Sequence, residues 1–210
     1  MIEVNKDRIE QIIKISKSIQ GWCTEWGGIL LYMLALNFTP NDTIVELGSW
    51  KGTSTVWLAS AIKDKSNPQG RVYAVDTWEG SNNEEAHREL LKNYDKDQLY
   101  NEFLNNMEKT GFSEVIAPLR GDTVKMSREW PVDLPIGILH IDASHEYDDV
   151  RRDFELWSPY VAKGGFIVFD DVPIWAGPSR LITELPKWYQ FVYINGVSSN
   201  GPNKWVVVKL

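Results

Sequence analysis

The sequence predicts a doubly wound α/β domain. Its sheet is seven-stranded and mainly parallel, with helices before it and an antiparallel hairpin at its C-terminal end. Three observations carry this expectation. Short apolar runs at 43–47, 71–75, 115–118, 137–141 and 166–169 alternate with helical stretches, as βαβ units do. The first run feeds a glycine-containing turn that opens a helix. Two last runs, 191–195 and 204–209, are joined by the turn-rich GVSSNGPN, and so short a link demands antiparallel pairing.

The elements follow in order. Residues 4–20 place Ile9, Ile12, Ile13, Ile15 and Ile19 at helical spacings. A second helix runs over 26–37; its apolar stretch GGILLYMLALNF is too short to cross a bilayer and reads as a buried helix. Residues 1–38 are expected to form a helical lid or interface segment, and 39–210 the main domain. Helices are expected near 53–63, 84–109, 123–127 and 147–159. The polar stretch 84–109 has room for two helices, part of which would cover a site. Trp175 and the following AGPSR are expected as a mobile loop forming one wall of a pocket.

The bulk chemistry narrows the function. A 210-residue chain with 43% hydrophobic side chains can bury a sizeable core. Its net charge of -7 repels phosphate backbones, so nucleic acid is a poor partner. The single cysteine, Cys23, allows no intrachain disulfide. The charged N-terminus is neither a signal peptide nor a span, so a cytoplasmic protein without membrane contact is expected.

Two ligand-binding signals stand at strand ends. In IVELGSWKGTSTVWLA (44–59), Gly48 permits a sharp turn, and Gly52 with Thr53–Ser54 opens a helix whose N-terminal amides favour electron-rich groups. Its G-x-x-x-G spacing departs from the dinucleotide fingerprint G-x-G-x-x-G. Glu46 is an acid in an otherwise apolar strand, placed to hold an ammonium or to stabilise the turn. In RVYAVDTWEG (71–80), Asp76 ends a strand where a carboxylate accepts ribose hydroxyls. LRGDTVKM (119–126) is a weaker signal, because Asp122 also suits a helix cap.

These pieces, in this order, resemble the class I S-adenosylmethionine-dependent methyltransferases, whose fold is Rossmann-like. The resemblance covers roughly residues 40–210. It implies adenosylmethionine as cofactor, held by Glu46, Gly48, Ser49, Gly52 and Ser54 in ELGSWKGTS, by Asp76 and Trp78 in AVDTW, and by Gly121, Asp122 and Thr123 in the adenine loop. Trp50 would flank the cofactor beside Trp78.

The richest segment is LHIDASHEYDDVRRDFELWSPYVAKGGFIVFDDV (139–172). Two strands deliver Asp142, His145, Asp170 and Asp171 to one sheet edge. Clustered carboxylates repel unless a cation joins them, and oxygen donors suit Mg²⁺, Mn²⁺ or Ca²⁺. A metal would lower the pKa of an acceptor hydroxyl, and a histidine would take its proton. The segment is similar to metal-assisted O-methyltransferases of the catechol and macrocin types, and to a broader group with Asp-x-x-His-x-Tyr, here Asp142, His145 and Tyr147. That resemblance implies Asp142, Asp170 and Asp171 as ligands of a divalent cation, Mg²⁺ first, and His145 with Asp142 as catalytic residues. Asp170-Asp171 departs from the Asp-Asn usual in the catechol type. His140, between apolar neighbours, reads as structural, and His87, in a polar helix, as solvated.

The expected activity is methylation of a hydroxyl on a small metabolite such as a sugar, polyketide or phenol, in secondary metabolism or glycan tailoring, by a chain able to form a homodimer. The competing readings are a metal-independent methyltransferase with His145 as base, an NAD-linked oxidoreductase, and a non-catalytic binding module.

Overall fold

The computed structural model describes residues 5–65, 67, 69–81, 84–192 and 203–210. Two helices lead, α1 (Lys6–Lys17) and α2 (Glu25–Asn37). The Asn5 side chain caps α1 by accepting from Asp7 N–H, and Thr24 caps α2 by accepting from Gly27 N–H. Then come β1 (Thr43–Leu47), α3 (Thr55–Asp64), β2 (Arg71–Asp76), α4 (Glu85–Leu91), α5 (Gln98–Lys109), β3 (Ile116–Arg120), α6 (Thr123–Glu129), β4 (Ile136–Ile141), α7 (Tyr147–Trp157), β5 (Val161–Asp170), α8 (Ala176–Thr183), β6 (Tyr189–Phe191) and β7 (Lys204–Lys209).

The seven strands form one sheet in the order β3-β2-β1-β4-β5-β7-β6. The first five are mutually parallel, and β7 runs antiparallel between β5 and β6. The predicted architecture is therefore present, including the closing hairpin. Its first strand begins earlier than the apolar run suggests: Tyr189–Phe191 pairs with β7, and Val192 N–H still donates to Val206 O at 3.0 Å. Residues 193–195 of the expected strand lie outside the described residues.

Alternate residues of each strand serve opposite faces. Ile44, Val72, Ala74, Ile138, Val168 and Val206 pack with α1, α2, α3 and α5, whereas Val45, Leu47, Val75, Leu139, Ile167 and Phe169 pack with α6, α7 and α8. Both faces are apolar, as a covered parallel sheet requires. Helix α2 is buried on most sides and closes against α3, where Gly28 leaves room for the Trp57 indole. The 84–109 stretch is two helices. The AGPSR segment is not a loop: Trp175 occupies the N-cap position of α8 without a side-chain hydrogen bond, and Pro178 sits in the first turn, where it costs no intrahelical hydrogen bond. Among the described residues, no helix is long and apolar enough to cross a membrane.

Candidate active site

Strand order reverses between β1 and β4, and there the carboxyl ends of the strands open into a cleft of about 790 Å³. Its wall includes Gly48 and Ser49 after β1, Asp76 ending β2, Gly121–Thr123 after β3, Asp142–His145 after β4, and Asp170–Asp171 at the end of β5. Gly48 has φ +86, and a Cβ there would lie 2.1 Å from the Asp142 carbonyl oxygen. The glycine is thus demanded by backbone packing of the β1 turn against the β4 turn as well as by the sharp turn that the sequence predicts.

Asp76 organises this corner. Ser49 and Trp50 N–H donate to its Oδ2 at 3.0 and 2.8 Å, and Trp78 N–H donates to Oδ1 at 2.7 Å. Burial pushes its pKa up, and these three hydrogen bonds oppose that only in part. Trp50 and Trp78 hold left-handed backbones, φ 48 and 53, to make these contacts. Oδ1, with a single donor, keeps lone-pair capacity for a further hydrogen bond. Nearby, Ser49 Oγ and Thr53 Oγ1 are buried and meet no hydrogen-bond partner among the described residues, and Ser54 also lines the wall. Asp122 lines the cleft while its Oδ1 caps α6 by accepting from Lys125 N–H at 2.8 Å. Gly121 N–H is tied to Asp76 O at 2.9 Å, and the Thr123 hydroxyl donates to Asp153.

Four sequence readings are corrected here. Glu46 does not reach the cleft. It is fully buried, accepts from Thr55 Oγ1 at 2.5 Å and meets His140 Nδ1 at 3.3 Å. Burial disfavours its charge, but His140 and Thr55 outweigh that and lower its pKa. Gly52 faces the Met107 methyl rather than a ligand, because its missing Cβ makes room for α5. Trp78 is buried against Tyr100 and Phe103, with its indole N–H donating to Trp50 O at 2.6 Å. His87 is not solvated: it stacks on Trp50 at 4.5 Å, and its Nδ1 accepts from Ser81 N–H at 3.0 Å.

The acidic half is arranged differently from the predicted triad. Strand register puts Glu46 beside His140, His140 beside Val168, and Asp170 opposite Lys204. Glu46, His140, Asp170 and Lys204 therefore share one face of four adjacent strands. Lys204 forms an ion pair with Asp170, and its ammonium also lies 3.2 Å from His140 Nε2. Burial opposes the charge of each partner, yet the pairing holds Asp170 far below the carboxylate range and raises Lys204. Among the described residues, side chains able to meet on an ion form two groups: His140, Asp142 and Asp170; and Asp142, His145 and Asp171. The three carboxylates do not converge as one free set, because Lys204 already holds Asp170. No sequence signal marked Lys204 beyond a charged residue opening an apolar strand.

His145 Nε2 lies 2.6 Å from Asp171 Oδ2, and Nδ1 lies 3.4 Å from Glu84 Oε1. Burial works against an imidazolium, but these two carboxylates prevail and raise its pKa to about 9. Asp171 reaches the ring from a left-handed backbone, φ 58. Burial and the neighbouring Asp170 push Asp142 well above the usual carboxylate range. Tyr147 stacks beneath Arg180 and lies outside the wall.

The outer rim is aromatic. Trp175 stacks on His145 at 4.4 Å, and Trp22, Trp50 and His87 form a cluster opposite. Residues 21–24, between α1 and α2, also line the cleft. Glu84 faces both histidines, lying 3.5 Å from His87 Nε2. Neither Glu84 nor residues 21–24 carried a motif by which the sequence would have marked them.

A family model described as a methyltransferase domain matches residues 45–172, and the chain belongs to that family. The chain is 32% identical over 143 residues to the uncharacterized protein R132 of Acanthamoeba polyphaga mimivirus, covering 68% of this chain and 57% of that protein. It is 29% identical over 137 residues to the uncharacterized protein y4gI of Sinorhizobium fredii (strain NBRC 101917 / NGR234), covering 62% of this chain and 13% of that protein. It thus spans little more than half of one relative and a small part of the other. Among solved structures, the O-methyltransferase TomG from Streptomyces achromogenes, in complex with SAM, aligns at TM-score 0.64 and 14% identity over 100% of this chain and 92% of its own. The O-methyltransferase from Bacillus cereus, in complex with SAH, aligns at TM-score 0.61 and 17% identity over 100% and 94%. At these identities the likeness is one of fold. Fold and family together define a class I methyltransferase domain.

Proposed function

We propose that the protein transfers a methyl group from S-adenosylmethionine to a hydroxyl of a small metabolite, a sugar, polyketide or phenol. The observation that carries this is the Asp76 corner. A carboxylate fixed by three backbone amides faces a cleft at the switch point, beside two buried hydroxyls, Ser49 Oγ and Thr53 Oγ1, that meet no partner among the described residues. These residues fit the cofactor: Asp76 toward the ribose, the two hydroxyls toward its amino-acid end, and Gly121–Thr123 toward the adenine. When bound, the cofactor supplies an electrophilic methyl on a sulfonium.

The chain's own residues supply position and a proton acceptor. An acceptor hydroxyl that takes up this methyl group would give up its proton, and a residue of this chain must receive it. His145 already carries its proton at neutral pH, so it serves to hold Asp171. Asp142 lines the cleft, burial and the neighbouring Asp170 make its carboxylate more basic than a free one, and in its ionised form it takes this proton. Positioning by Trp175 and the aromatic rim supplies the remaining advantage. The predicted three-carboxylate set does not stand free for a divalent cation, since Lys204 is already paired with Asp170.

Calorimetric titration with S-adenosylhomocysteine and with NADH tests the cofactor. Homocysteine-adduct binding that Asp76→Ala weakens is expected. Tight NADH binding without it would sink the proposal. Transfer of tritiated methyl to a panel of phenols and sugars, absent in Asp142→Asn, then tests the acceptor class.

A further inference from the structure

We propose that the Lys204 ammonium is the resident cation of this acidic centre, standing in for a divalent ion, so that the protein takes up no divalent metal beside Asp142 and Asp170. The setting rests on the methyl-transfer reading, but the argument rests on the strand register and the packing. Lys204 lies directly opposite Asp170 across the β5–β7 pair, on the face that also carries Glu46 and His140. Its side chain is 2% exposed. A buried charge is retained only where a partner compensates it, and here the partners are the Asp170 carboxylate and His140 Nε2.

The stem is also pinned. A Cβ on Gly27 would lie 2.6 Å from Lys204 Cε, so the aliphatic chain runs directly over the backbone of α2. α2 on one side and the strand register on the other hold the ammonium in place at the cleft wall, beside Asp170. An ion entering beside Asp142 would meet a fixed positive charge in a desolvated site, where like charges repel strongly. The sequence placed three carboxylates at this edge; β7 brings their cation.

The test measures Mn²⁺ binding by electron paramagnetic resonance and calorimetry, with and without S-adenosylhomocysteine, so it needs no acceptor. Wild type is expected to show no saturable Mn²⁺ site. Lys204→Met, which leaves Asp142 and Asp170 uncompensated, is expected to gain one at least about tenfold tighter than any residual binding and to be stabilised thermally by the ion. The double variant Asp170→Asn/Lys204→Met is expected to lose that site. Saturable Mn²⁺ binding by wild type that Asp170→Asn abolishes would overturn the inference, and this arm stands even if Lys204→Met does not fold. A folded Lys204→Met that takes up no Mn²⁺ would overturn it as well. Failure of wild type to bind the homocysteine adduct would count against the cofactor reading alone.

Discussion

Asp153→Asn is expected to stabilise the protein at neutral and alkaline pH while leaving it nearly unchanged in acid. Asp153, on α7, is 4% exposed and accepts from the Thr123 hydroxyl. Burial raises its pKa from 3.8 to about 6, and the hydrogen bond from Thr123 only partly opposes this. The folded chain therefore holds this proton more tightly than the unfolded chain. Stability from the protonated carboxyl is complete below the unfolded value and is lost as pH rises through about 6. A shift of about two units at about 1.4 kcal/mol each makes the ionised carboxylate cost about 3 kcal/mol at pH 8, an upper bound. Asparagine cannot ionise, and its amide oxygen can still accept from Thr123. Urea unfolding, followed by tryptophan fluorescence from about pH 4 to about pH 8, should show the stability difference growing from near zero to about 3 kcal/mol. The corresponding rise in Tm at pH 8 is about 7 °C. A difference that does not change with pH, or a variant less stable at pH 8, would refute the reasoning. A costly carboxylate in the cleft wall is what a binding surface, rather than a stable core, would retain.

Gly48→Ala should destabilise the domain by about 2–3 kcal/mol and abolish binding of S-adenosylhomocysteine, because its Cβ would meet the Asp142 carbonyl at 2.1 Å with φ +86; denaturant unfolding and calorimetry check both. Glu46→Ala leaves Thr55 and His140 facing an empty buried site and should cost about 3 kcal/mol, although Glu46 never touches the cleft. If that variant instead lost cofactor affinity at full stability, Glu46 would be a binding residue after all. Trp175→Ala should raise the acceptor KM several-fold while homocysteine-adduct affinity holds, since the ring lies over His145 and not over the Asp76 corner.

The alternation of apolar runs and helices announced the parallel sheet because period and length are local properties of the chain. Asp76, Asp142 and Asp171 were legible for the same reason: a polar residue ending an apolar strand must come out at the sheet's carboxyl edge. Trp78 and Gly52 were misread because their neighbours, α5 above all, come from more than twenty residues away. The AGPSR helix was hidden by a glycine and a proline, which a first helical turn tolerates. Glu46, His140 and Asp170 were each visible as polar residues of apolar strands, Lys204 carried no signal of its own, and nothing local joined the four. Their union depends on β7 inserting next to β5 in one register, a choice made by packing on both sheet faces. The sequence by itself determined the class of domain and the edge at which its chemistry gathers. Tertiary structure alone decided which of those charges neutralise one another at the cleft wall, because pairing between distant strands is set by the whole core.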